Sequence, residues 1–179
     1  MTGHMTGHGG DGSWVWGRFS RLGAGVALAT FLLDQASKWW LMGPFGLPGL
    51  GRVTVTPFLD LILVKNIGIS YSLLGQNSYS GQLALAGFGA AAACALWVWL
   101  ARGAANRLMA LSLGLIIGGA LGNALDRVLL GGVADFVSLH AFGFYWYVFN
   151  VADVAIVAGV AGLLYDSLLG SRNDAAKPL

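Results

Sequence analysis

Charged side chains are scarce in this sequence. Lys and Arg number 10 and Asp and Glu 8 among 179 residues, so only 10% of the chain is charged. Soluble domains carry about 25%, and a free monomer this poor in charge cannot solvate its own surface. The net charge of +2 comes without a basic cluster, which leaves no electrostatic footprint for nucleic acid. A single cysteine, Cys94, excludes an internal disulfide framework and a CxxC metal or redox pair. No His/Cys/Asp cluster has the spacing of a zinc site.

What is plentiful is apolar surface. Hydrophobic residues make up 56% of the chain, and three stretches run about 18 residues without a charge, near the length that crosses a bilayer. The chain reads as an integral membrane protein of one domain. Its 28 glycines suit transmembrane helices that pack closely. The expected class is an all-α polytopic bundle with four transmembrane helices, over about 22–41, 82–100, 108–127 and 151–169. Residues 43–80 contain Pro44, Pro48 and Pro57 beside β-prone runs at 52–56 and 58–64. They predict a small β-rich cradle at the extracytoplasmic (periplasmic) membrane surface. Residues 128–150, with a cluster of aromatics, form a second outer connection. Residues 1–17 repeat Met1-Thr2-Gly3-His4 as Met5-Thr6-Gly7-His8 and read as a disordered tail rather than a metal site. Residues 171–179 read as a cytoplasmic tail, leaving 18–170 as the membrane domain.

Basic residues set the expected orientation. Arg18, Arg21, Arg102, Arg107, Arg172 and Lys177 fall on one side of four spans, against Arg52, Lys65 and Arg127 on the other. The excess marks the cytoplasmic side, so both termini are expected there. Asp34 and Lys38 then lie toward the outer end of helix one, and Asn123, Asp126 and Arg127 at the outer end of helix three. Asp135 is in the outer connection, and Asn150 and Asp153 are at the outer mouth of helix four. Four acids converge on one face; Asp11, Asp60, Asp166 and Asp174 are left over.

An ionisable group in hydrocarbon costs roughly 2.5–3.5 kcal/mol at a helix centre, so each of these is paired or functional. Asp34 and Lys38 have the spacing and order of a same-face ion pair. Asn123, Asp126 and Arg127 share a helix face, where Arg127 can satisfy Asp126 or anchor to lipid headgroups. Asp135 and Asp153 have no basic residue within four positions. Asp153 has a simpler alternative as a charge partner for a helix N-terminus. Two unpaired acids on one face otherwise suggest a carboxylate dyad, in which one member keeps its proton. The ionised member activates water and the protonated one donates to a carbonyl oxygen.

Competing chemistries are weaker. Ser37, Ser70, Ser72 and Ser138 are candidate nucleophiles, but His140 lies in no serine-hydrolase elbow. Gly114, Gly118 and Gly122 read as a helix-packing stripe, Cys94 as packing among alanines, and Trp97 and Trp99 as interfacial anchors. A small proton-coupled transporter would place acids near mid-membrane, whereas the cytoplasmic halves of helices one to three are uninterrupted. In a structural scaffold, neutralising Asp135 or Asp153 would change stability alone.

Five stretches, in order, resemble the bacterial lipoprotein signal peptidases (signal peptidase II). They are Asp34-Gln35-Ala36-Ser37-Lys38, Asn66-Ile67-Gly68, Gly118 through Arg127, Val133-Ala134-Asp135-Phe136 and Phe149-Asn150-Val151-Ala152-Asp153. The resemblance implies an aspartic endopeptidase of the bacterial inner membrane that removes the signal peptide from diacylglyceryl-modified prolipoproteins. It implies Asp135 and Asp153 as catalytic acids, with Asn123, Asp126, Arg127 and Asn150 shaping the site. Asp34, Lys38, Asn66 and Gly68 fall on motif positions that support the site or contact substrate. It further implies membrane lipids as partners, inhibition by globomycin-type cyclic peptides, and no metal or organic cofactor. Two departures are Ile69-Ser70-Tyr71, where the family has small residues and then Phe, and Val133-Ala134 for a Val-Val pair.

Overall fold

The computed structural model describes residues 14–68 and 78–175, with residues 169–175 traced as backbone. His4, His8, Asp11, Ile69-Ser70-Tyr71 and Ser72, and the side chains of Arg172, Asp174 and Lys177, lie outside the described residues. Four long helices carry the fold: α1 (Ser20–Met42), α3 (Tyr79–Gly103), α4 (Arg107–Leu130) and α5 (Val151–Ala175). Each runs past the bounds expected from hydropathy at one or both ends, and side-chain caps set the start of α3 and α4. Ser78 accepts the Gly81 N–H at 3.1 Å to start α3, and Asn106 accepts the Met109 N–H at 2.9 Å to start α4. Gly131, at φ 65°, closes α4 in the left-handed conformation.

Three of these helices, α3, α4 and α5, are long and apolar enough to cross a membrane. In α1, Asp34, Gln35 and Lys38 interrupt the apolar run. The central helix is α4, packed against α1, α3 and α5. Of its most apolar stretch 56% is buried within the protein, against 17% for α3 and α5. The outer helices thus leave their apolar faces uncovered, with Leu32, Trp39, Phe88, Val157 and Leu164 all exposed. Such a surface suits lipid rather than water. Close approach is made through glycine. A Cβ on Gly114 would fall 2.8 Å from the Gly23 carbonyl, and one on Gly118 would collide with the Ala27 carbonyl.

The connections form more sheet than expected. A one-turn helix, α2 (Leu47–Leu50), leads into β1 (Val53–Thr56) and β2 (Leu59–Asn66), as the β-prone runs suggest. The unexpected part is residues 128–150, which supply β3 (Val133–Ala141) and β4 (Phe144–Tyr145) rather than a free loop. All four strands are antiparallel in the order β1-β2-β3-β4. The sheet makes an all-α class too narrow a description. In β3, Val133, Ala134, Asp135 and Phe136 are consecutively buried, so the alternation that betrays a half-exposed strand is missing.

Three smaller expectations also fail. Cys94 is exposed, because its face of α3 is uncovered. The tail is shorter than residues 1–17: Trp97 Nε1 donates to the Val15 carbonyl at 3.1 Å, and Arg102 lies 4.1 Å from the Trp14 ring centroid. At the other end, α5 continues to Ala175, into the expected tail.

Candidate active site

Polar groups are concentrated where the helices meet the sheet. Asp135 comes from β3, opposite Val64 of β2; Asn66 ends β2, and Gly68 lies in the turn that follows it. Asn150 immediately precedes α5, and Asp153 lies in its first turn. From α4 come Asn123, Asp126 and Arg127, and from α1 Asp34 and Lys38. All ten residues singled out in the sequence therefore lie in one neighbourhood, and hydrogen bonds connect them.

Asp135 is 1% exposed. Its Oδ1 accepts Asn150 Nδ2 at 2.6 Å and its Oδ2 accepts Asn66 Nδ2 at 3.1 Å. Burial, and after it the negative charge of Asp153, push the Asp135 carboxyl up to about 7; the two amide hydrogen bonds and Lys38 oppose the shift. Asp153 is half-buried. Its Oδ1 accepts Asn123 Nδ2 at 2.9 Å, and its Oδ2 accepts the Asn150 N–H at 3.2 Å. The Asp153 N–H returns a bond to Asn150 Oδ1 at 2.9 Å, which is a reciprocal capping box. The helix-terminus role considered for Asp153 is thus real, and it coexists with its place beside Asp135. Asn150 links the two acids, since its Nδ2 also reaches Asn123 Oδ1 at 3.1 Å.

Beneath this pair lies a closed ionic group. Lys38 Nζ is 2.8 Å from Asp34 Oδ2 and 2.7 Å from Asp126 Oδ2. The i,i+4 pair in α1 forms as its spacing predicts. The expected Asp126–Arg127 pair does not: Lys38 takes Asp126 from across the helix interface. Arg127 instead donates to the Asn123 carbonyl and the Gly68 carbonyl, each at 3.0 Å.

The family relationship follows the geometry. The family model for signal peptidase (SPase) II matches residues 26–169. The chain belongs to the signal peptidase II family. A lipoprotein signal peptidase of Methylobacterium sp. (strain 4-46) is 53% identical over 156 residues, covering 87% of this chain and 94% of that one. Another, of Rhodopseudomonas palustris (strain ATCC BAA-98 / CGA009), is 50% identical over 154 residues, covering 84% and 93%. The fold is also that of a bacterial membrane enzyme solved by the in meso method, with a TM-score of 0.71 at 24% identity, over 89% of this chain and 94% of that one. This is an aspartic-type signal peptidase II.

Several parts of the peptidase site gave little sequence signal. Gln35 Nε2 donates to Asp126 Oδ1 at 3.0 Å and to Asp34 Oδ2 at 3.1 Å. Gln82 Nε2 donates to the Ile67 carbonyl at 2.7 Å and, with Arg127, holds the Asn66–Gly68 turn. A buried glutamine at the mouth of an apolar helix was the available clue. Gly122 belongs to the site as well as to the packing stripe, since a Cβ there would collide with the Asp34 carboxylate. Of the leftover acids, Asp60 pairs with Arg52 Nη1 at 2.6 Å, and Asp166 accepts Asn106 Nδ2 at 2.7 Å.

Proposed function

We propose that Asp135 and Asp153 are the catalytic pair with which this peptidase removes the signal peptide from diacylglyceryl-modified prolipoproteins, on the N-terminal side of the lipidated cysteine. The observation that carries this reading is the pairing itself. Two carboxylates from different elements meet through one amide, Asn150, and one of them is buried. Burial and the neighbouring charge raise Asp135, which suits it to be the acid of the two. Asp135, held up to about 7 by burial and by its neighbour's charge, keeps the pair's proton, and the half-buried Asp153 is the base.

The proton inventory closes. Asp153 takes a proton from water as the water oxygen attacks the carbonyl carbon, and Asp135 gives its proton to the carbonyl oxygen. On collapse, Asp153 passes its proton to the leaving amine and Asp135 recovers one from the hydroxyl. Asn66 and Asn150 hold the acid, and Asn123 holds the base. Asn123, Asp126, Arg127, Asn150, Asp34, Lys38, Asn66 and Gly68 support the site.

In this reading α1 is the fourth span, its polar side chains facing α4 and α5 rather than lipid. The single membrane domain takes in residues 18–170 and the few ordered residues at either end, in the cytoplasmic membrane. Both termini face the cytoplasm and the site opens at the outer boundary, as the six-to-three distribution of basic residues favours. The substrate's acyl chains then hold its cysteine at the same depth, and entry is lateral, from lipid. Globomycin-type cyclic peptides compete for the pair.

The test is cleavage of a diacylglyceryl-modified prolipoprotein by the purified peptidase, with the unlipidated precursor as control. The expected product, read by mass, begins with the lipidated cysteine. A folded enzyme that leaves the lipidated precursor intact, or cuts elsewhere, would overturn the proposal.

A further inference from the structure

We propose that Lys38 is a positioning residue that sets the spacing between Asp135 and Asp153, acting through the two peptide N–H groups that precede them. The inference rests on these two acids being the catalytic pair. Asp34 Oδ1 accepts the Ala152 N–H at 3.0 Å, and Asp126 Oδ2 accepts the Ala134 N–H at 3.1 Å. Each amide belongs to the residue immediately before one member of the pair. Lys38 Nζ joins the two carboxylates at 2.8 and 2.7 Å, and Gln35 Nε2 bridges the same two at 3.1 and 3.0 Å. One cation thus ties the backbone of β3 to the first turn of α5, by way of α1 and α4.

Burial separates this role from substrate contact. Asp34 is 0% exposed, Lys38 2% and Asp126 3%, so none of the three presents a surface to a bound peptide. The Ala152 N–H is one of the first amides of α5, which an α-helix leaves without an intrahelical partner. Here another helix supplies the acceptor. Two carboxylates this close to one point repel unless a cation lies between them. Without Lys38 they separate, and each takes its attached backbone with it.

Steady-state cleavage of the lipidated precursor by Lys38→Met, compared with wild type and Asp135→Asn over a range of pH, tests this. The expected result, per folded molecule, is a kcat lower by about 10- to 100-fold, the scale of a misplacement near 1 Å. KM stays within about twofold, since no uniform binding contact is lost. The pH dependence of kcat is also displaced, because the repulsion between the paired acids depends on their separation. Asp126→Asn, which keeps an acceptor for Ala134 and loses the charge facing Lys38, shows the same pattern more weakly. Should Lys38→Met not accumulate as folded protein, Asp126→Asn and Asp34→Asn carry the test with the same readouts.

Two results would overturn the proposal. One is a rise in KM at unchanged kcat, which makes Lys38 a substrate contact. The other is kcat and a pH profile equal to wild type in the folded fraction, which makes it a structural ion pair only. An inactive wild type, or an active Asp135→Asn, would instead strike the catalytic assignment.

Discussion

The two ends of α4 are built by the same device and do different things. Toward Arg107 the helix meets its neighbours through missing side chains: Gly114 on the Gly23 carbonyl, Gly118 on the Ala27 carbonyl, and the Ser112 carbonyl under Gly159 of α5. Leu100, Leu113 and Ile117 fill the space around them. Toward Leu130 the same helix presents Asn123 and Asp126 to Lys38, Asp153 and Asn150. Gly122 continues the four-residue stripe into this second region, but its neighbour is the Asp34 carboxylate rather than a backbone carbonyl. Spacing alone made all three glycines look alike. What lies opposite decides whether close approach serves packing or brings a buried charge into the site.

The comparison can be broken most severely at the polar end. Asp135→Asn and Asp153→Asn should each cut the initial cleavage rate about a thousandfold, within the range general acid–base groups supply, while the protein stays folded in detergent. Next come the glycines. Gly122→Ala should lower kcat about tenfold by displacing Asp34. Gly118→Ala should cost about 1–3 kcal/mol of stability through overpacking and leave kcat per folded molecule unchanged. The reverse pattern in kinetics and thermal melts would mean that the two ends are not divided in this way.

Smaller effects sharpen the contrast. The folded protein holds a proton on Asp135 up to about pH 7, while an unperturbed aspartate releases it near 3.8. Between these values the native state binds more protons, so this group's contribution to stability falls as pH rises. Asp135→Asn should remove that decline, as a melting series across the window would report. The smallest effect is expected in the sheet. Asp60 is held below the ordinary carboxylate range, first by its hydrogen bond to Arg52. The contribution is present above about pH 4 and fades as Asp60 takes up its proton. Arg52→Gln should lower the melting temperature slightly at neutral pH, with the difference shrinking in acid.

Much of this was legible in the sequence, for identifiable reasons. Long helices announced themselves by uninterrupted apolar runs, and the acids stood out because hydrocarbon makes an unpaired aspartate costly. Asp34 with Lys38 followed from helical spacing. The exchange of Asp126 from Arg127 to Lys38 did not, because it depends on how α1 lies against α4, a tertiary fact with no local signal. The β3 strand was hidden by its own burial, which removes alternation. The roles of Ala134 and Ala152 are carried by backbone N–H groups, which every residue but proline possesses, so nothing in their side chains points to them.

The most direct test of the central claim, that Asp135 holds the proton and Asp153 acts as base, is the pH dependence of kcat/KM for cleavage of a lipidated precursor, which reports the free enzyme's acid and base. A bell is expected, with its alkaline limb near pH 7, where Asp135 gives up its proton. A rate that holds its plateau well into the alkaline range would contradict the assignment, because the proton donor would then be some other group.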